Sequence, residues 1–256
     1  MKKIIAILLF FNFASLYAQK KAYGEGEWLN FRVHYGLITA GNATLEVKKT
    51  TIDGKKVYHI KGYGETSGMT SWFFPVKDDY QSYVDVEKDI PYRFIRKIDE
   101  GGHTKDIQID FDHTKLDATI NDKKHDSVKV VSFPKDAQDM VSAFYYLRNN
   151  LEVENIKEGD EVLLNMFFDR ENYKFKLKFL GREIIDTEFG KVACLVFRPY
   201  VQSGRVFKEK ESLTLWVSDD DNKIPIVIKA DLMVGSLKAT LIQFKGLQHS
   251  FKIIVD

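Results

Sequence analysis

The sequence predicts a mainly β fold: an antiparallel meander forming a curved sheet or half-open barrel, with one principal α-helix at about 136-150. Three observations predict it. Apolar and polar residues alternate with period two over much of the chain. Turn-forming pairs fall between these runs at short intervals. One segment alone switches clearly to helical spacing.

The first run sets the pattern. Leu29, Phe31, Val33 and Tyr35 share one face, and Trp28, Asn30, Arg32 and His34 share the other. Such alternation suits a strand with one face buried and one wet. Asp53-Gly54 then separates Ala43–Thr51 from Lys56–Gly64, and Gly101-Gly102 separates Phe94–Ile98 from Ile107–Phe111. Asp112-His113-Thr114-Lys115 precedes Leu116–Ile120, and Asn121-Asp122 is expected to turn into the next strand. Each supplies residues that tolerate positive φ or bond their own backbone.

The helix is read from Asp136, a candidate N-cap just after Pro134. Ala137, Met140 or Val141, Phe144, Leu147 and Leu151 follow at helical spacing, so Val141 and Phe144 are expected to face the core. A second, shorter helical turn is expected within Thr66–Phe74. Beyond Gly159-Asp160 the strands resume. Tyr173, Phe175, Leu177 and Phe179 alternate with three lysines, and Leu213, Leu215 and Val217 alternate with Ser212, Thr214 and Trp216. Phe189-Gly190, Ser203-Gly204, Asp220-Asp221-Asn222 and Gly235-Ser236 mark the turns. Sequential hairpins of this kind build an antiparallel sheet.

Residues 1–18 read as a signal peptide. Lys2 and Lys3 precede the apolar run Ile4–Phe11, Phe13–Leu16 extends it, and Ala18 is followed by Gln19-Lys20-Lys21. The apolar part is short of the roughly 20 residues that span a bilayer. The expected product is a single β domain over 19-256, which the helix could divide into two halves, free in the periplasm or secreted. It is not expected to be a lipoprotein, because the sole cysteine is Cys194. Val192–Phe197 around it has a buried-strand pattern, which makes Cys194 a small core residue rather than a reactive thiol.

Charge excludes some partners. Removing Lys2 and Lys3 takes the formal charge from +1 to −1. No polybasic tract calls for nucleic acid or an anionic lipid surface. Catalytic signatures are likewise missing. His34, His59, His103, His113, His125 and His249 form no H-x-H or H-E-x-x-H pair, so no metal site is expected. There is no nucleophile elbow, and Gly36–Gly41 lacks the Lys-Ser/Thr of a phosphate loop, so no cofactor is expected. Asp219-Asp220-Asp221-Asn222 is expected to be a solvated hairpin turn rather than a calcium loop. Asp78-Asp79 and Asp85 are the carboxylates with a conceivable acid/base role. The most unusual stretch is Gly68–Pro75. Met69, Trp72, Phe73 and Phe74 leave the strand period among small and turn-forming residues. They are expected either to line the mouth of an apolar ligand cavity or to plug one end of the core.

Several blocks in order resemble the DUF 3108 family. They are Tyr35-Gly36 with Ala40–Ala43, Asp79-Tyr80 through Tyr83-Val84-Asp85, Pro91–Phe94 and Glu100-Gly101-Gly102. Asp139–Arg148 resembles that family's central helix. Trp216–Asp220 with Ile224-Pro225, then Gly235–Ala239, resembles its last hairpins. The resemblance implies an exported all-β protein with a helix and brings no catalytic residues. By analogy of shape, the half-barrel carriers of lipoproteins also wrap a curved sheet around a helix. The expected function is a non-enzymatic binding or carrier module for an apolar or amphipathic ligand. The alternatives are an envelope assembly or scaffold protein acting through its surface, and a hydrolase with a site assembled from distant strands. A lipid-like ligand or an envelope protein is the expected partner.

Overall fold

A computed structural model describes residues 21–201 and 213–255. Residues 1–18, read above as a signal peptide, and the turn expected at Ser203-Gly204 lie outside the described residues. The first half is a run of hairpins: β1 (Trp28–Tyr35), β2 (Ile38–Ile52), β3 (Lys55–Thr66), β4 (Val76–Asp85), β5 (Pro91–Glu100), β6 (His103–Asp112), β7 (Asp117–Asp122) and β8 (Ser127–Ser132). A four-residue helix, α1 (Thr70–Phe73), sits between β3 and β4, and the principal helix α2 (Met140–Asn150) follows β8. Six more strands follow among the described residues: β9 (Glu161–Phe168), β10 (Glu171–Thr187), β11 (Gly190–Val201), β12 (Leu213–Ser218), β13 (Pro225–Asp231) and β14 (Ser236–Lys245).

All fourteen strands form one antiparallel sheet in the order β8-β7-β6-β5-β4-β3-β2-β1-β14-β13-β12-β11-β10-β9. The chain therefore starts at the middle of the sheet, and its last strand returns beside its first, with Trp28 opposite Lys245 and Tyr35 opposite Leu237. The sheet curls without closing strand to strand. Segment 133–139 fills the seam instead: Gln138 N–H donates to the Asn165 carbonyl at 2.9 Å, and Phe167 N–H donates to the Gln138 carbonyl at 2.8 Å. The β9–β10 turn adds ion pairs across the gap, Asp169 with Arg96 and Lys105 and Arg170 with Asp122. Antiparallel order also sorts the turns. β1–β2, β3–β4, β5–β6, β7–β8, β9–β10 and β13–β14 turn at one rim, here the upper, and β2–β3, β4–β5, β6–β7, β10–β11 and β12–β13 at the lower.

The largest core cluster lies under β3–β7 and takes Val141 and Tyr145 from α2. Its aromatic rings lock edge to face, Phe111 on Phe133 at 5.4 Å and on Phe167 at 5.8 Å. A second cluster, built on Leu29, Phe31, Cys194, Ile226 and Leu241, is covered by Leu247 and Phe251 of the C-terminal segment. A third joins Leu147 of α2 to Leu177, Phe179, Leu195 and Phe197. Cys194 is fully buried, and its thiol is pushed up to about 12 by burial, with Asp219 and Asp220 adding to it.

Four expectations need correction or refinement. The helix starts at Met140, capped by Asp139; Asp136 is instead in the left-handed region at φ 59°. The intervening residues are held extended by the seam. Asn121 and Asp122 end β7, and the turn is 123–126. Phe144 packs against the first core as expected but is only half-buried, because it also lines open space. Asp219–Asn222 does make a hairpin turn, but Asp220 and Asn222 are buried. Asp220 accepts from Ser218 Oγ and the Asn222 N–H, while Asn222 bonds the backbone of His249 and Ser250.

Candidate functional site

α2 is fastened at both ends. At its start Asp139 Oδ1 accepts from the N–H groups of Val141 and Ser142 at 2.8 and 2.7 Å, and Ser142 Oγ accepts from the Asp139 N–H at 2.8 Å. This reciprocal capping box satisfies donors the helix leaves open. Ser82 Oγ on β4 donates to Asp139 Oδ2 at 2.6 Å, so the cap is also a tether to the sheet. Burial pushes the Asp139 carboxyl up to about 6 against the pull of those hydrogen bonds.

Near the other end Arg148 is almost wholly buried. Its Nη1 and Nη2 donate to both oxygens of buried Glu27 at 2.6 and 2.7 Å. Nη2 also donates to the Ala22 carbonyl at 3.1 Å, and Nε to the Asn222 carbonyl at 2.9 Å. One guanidinium thus ties the helix to the N-terminal segment and to the β12–β13 turn. Bidentate, charge-assisted bonding of this kind is what makes a buried pair tolerable.

Between these fastenings the helix spans a void. On one side Val141 and Tyr145 pack into the first core. On the other, Met140, Phe144, Leu147 and Leu151 face a cavity of about 410 Å³. Its far wall is Phe175 and Leu177 of β10, Phe197 and Pro199 of β11, Leu213 and Leu215 of β12, and Ile228 of β13. Met166, Phe168 and Tyr173 line its upper part, and Val217, Pro225 and Lys223 its lower part. Among the described residues no Ser, Cys, His, Asp or Glu lines it. Its two cationic side chains differ. Arg148 is committed to Glu27, whereas the Lys223 ammonium has its pKa lowered by burial, opposed by Asp221 and Asp220.

Met69, Trp72, Phe73 and Phe74 line none of this cavity. They stand on α1 and its flanks at the upper rim, with Trp72 and Phe73 83% and 85% exposed. That exposure also rules out the plug. Phe74 alone has a local task, since its ring lies where a Cβ on Gly101 would be, at 2.8 Å.

The carboxylates singled out earlier also separate. Burial opposes ionisation of Asp85, but the N–H groups of Lys88 and Glu87 and the Tyr92 hydroxyl outweigh it and hold its pKa below the usual range. It is a turn carboxylate. Asp78 is pushed up to about 6 by burial, then by Glu100. His59 bonds Gln81 and stacks on Tyr83, His113 bonds the Pro91 carbonyl, and His125 bonds Asp122. No group of three metal-ligating side chains assembles among the described residues.

Sequence reasoning expected an apolar cavity but not this lining, and it missed the Arg148–Glu27 pair. The pair had a signal: Arg148 follows Leu147 within the apolar pattern of the helix. The lining had none, because the same alternation serves a filled interior.

Comparison with known proteins agrees with this architecture. The family described as "Protein of unknown function (DUF3108)" matches residues 30–242, and the chain belongs to it. No curated protein matches. A β-barrel-like protein of the DUF1849 domain from Brucella abortus is similar at a TM-score of 0.56 and 9% identity, over 85% of this chain and 96% of that one. A protein of YmcC-like fold from Bacteroides fragilis aligns over 89% of this chain and 99% of that one, at a TM-score of 0.33 and 9% identity. The first likeness concerns the fold alone.

Proposed function

We propose that this DUF3108 protein is a non-enzymatic binding or carrier module of the cell envelope, working in the periplasm or secreted after loss of residues 1–18. It holds the apolar chain of an amphipathic ligand between α2 and β10–β13. The observation that carries this reading is the cavity itself: about 410 Å³ walled almost wholly by hydrocarbon, beside a helix fixed at both ends. Space of this size and lining is unfavourable for water and costs dispersion contacts while empty. An alkyl chain restores those contacts and leaves water, at roughly 25 cal/mol for each Å² of apolar surface buried. A wall whose described residues include no Ser, Cys, His or carboxylate suits retention rather than chemistry.

A fluorescent long-chain fatty-acid analogue tests it. Wild type takes up the probe saturably, and Leu215→Trp, which fills the cavity, abolishes uptake while the melting temperature holds or rises. A wild type that binds no probe, and carries no co-purified lipid in native mass spectrometry, overturns the reading.

A further inference from the structure

The upper rim carries a second apolar feature, separate from the cavity. We propose that three adjacent hairpin tips there dock the protein on a lipid bilayer. The sheet order β4-β3-β2-β1-β14-β13 makes the β3–β4, β1–β2 and β13–β14 hairpins consecutive neighbours, and all three turn at this rim. Each tip holds large apolar side chains in solvent: Leu37 on the first strand pair, Met69, Trp72 and Phe73 on α1, and Met233 and Val234 before β14. Leu37 and Met233 are essentially fully exposed, at 102% and 95%.

These tips are held in place. Tyr35 Oη donates to the Val234 carbonyl at 2.9 Å, and Gly36 N–H donates to the Ser236 carbonyl at 3.0 Å, which joins two of them. Ser67 N–H donates to the Ala40 carbonyl at 2.9 Å, which joins the third. Thr66 Oγ1 accepts from the Val76 N–H and Gly101 N–H donates to the Pro75 carbonyl, fixing the base of α1. The fold therefore presents the six side chains outward rather than letting them collapse inward.

Charge placement selects the occupant. Residues 36–38, 67–75 and 232–235 contain no ionisable side chain. Just behind them stand exposed Glu65, Lys77, Asp231 and Lys238, a collar of both signs. The lower turns instead carry charge at their tips, with Asp53, Glu87, Lys88, Glu188 and Asp221 all exposed. Bare apolar tips over a mixed collar match the depth profile of a bilayer. Side chains enter the acyl boundary, and both charge signs meet the phosphate and amine of zwitterionic headgroups. Protruding, separated tips also suit a fluid surface, which closes around each one.

The test is flotation of the mature protein with vesicles of phosphatidylethanolamine and phosphatidylglycerol, at low salt and at about 0.5 M salt, where surface charge is screened. Wild type floats with the vesicles under both conditions. The variant Trp72→Glu/Phe73→Glu/Met233→Glu binds about tenfold more weakly or less, the scale expected for removing three large apolar anchors. Its melting temperature matches wild type, because the replaced side chains touch no core. Wild type that stays in the soluble fraction overturns the proposal. So does binding abolished by salt, or binding that the triple variant keeps. Fatty-acid uptake by the same variant is unchanged, so failure here and failure of the cavity reading are separable.

Discussion

α2 divides two interiors built from the same alternation. Toward β3–β7 its residues meet a filled interior of interlocked rings, Phe111, Phe133 and Phe167 among them, into which Tyr145 is fully buried. Toward β10–β13 its residues meet the cavity. The difference teaches that patterning decides which face is apolar, and that the distance between facing elements decides whether the space is filled. Here the fastenings set that distance. Asp139 and Arg148 hold the helix close to β4 and the N-terminal segment, and on the far side it joins the cluster of β10–β12 only near its end, through Leu147.

That comparison can be broken first at the fastening. Arg148→Ala leaves Glu27 buried without a partner and is expected to cost about 3–5 kcal/mol. Chemical denaturation should show it, and a loss below about 1 kcal/mol would mean the helix is held by packing alone. Arg148→Met tests a different point: a well-packed apolar replacement still leaves Glu27 alone, so little recovery is expected unless Glu27→Leu accompanies it.

The two sides of the helix come next. Phe167→Ala, in the filled interior, is expected to cost about 3–5 kcal/mol. Phe144→Ala enlarges space that is already open and is expected to cost about 1–2 kcal/mol, with a larger effect on probe uptake than on stability. Equal costs for both in parallel urea melts would mean that the cavity closes in solution.

The smallest effect concerns Asp78, whose folded pKa of about 6 lies above its ordinary value of 3.8. Between those two values the folded state holds more protons than the unfolded one, so this group makes stability fall as pH rises and is penalised in full above about pH 6. Asp78→Asn should therefore stabilise at about pH 7.5 and lose most of that gain at about pH 4.5. A gain that is the same at both values would show that something other than its ionisation is responsible.

Much of the sheet was legible. Asp53-Gly54, Gly101-Gly102 and Gly235-Ser236 sit at turns because only a few residue types accept the backbone angles there, with Gly54, Gly101 and Gly235 all at positive φ. The start of the helix was misread because Asp136 and Asp139 are both good caps by composition. Only tertiary pairing of Gln138 with β9 chooses between them. Met69, Trp72 and Phe73 were legible as an anomaly and their position was not, since a sequence does not show which hairpins share a rim. The lining of the cavity was illegible for a related reason: Phe175 and Leu177 beside the void and Phe179 in a packed cluster belong to one alternating run.

The meeting of β1 with β14 has a consequence in time. The strand made first needs, on one of its two sides, the strand made last, and Glu27 likewise waits for a residue about half the chain away. Long-range pairing of this order makes folding slow, because the ends must find each other before the contacts reward them. A growing chain of this design stays incomplete until its final hairpin emerges. Synthesis therefore leaves an interval in which the whole polypeptide can be threaded elsewhere before it locks.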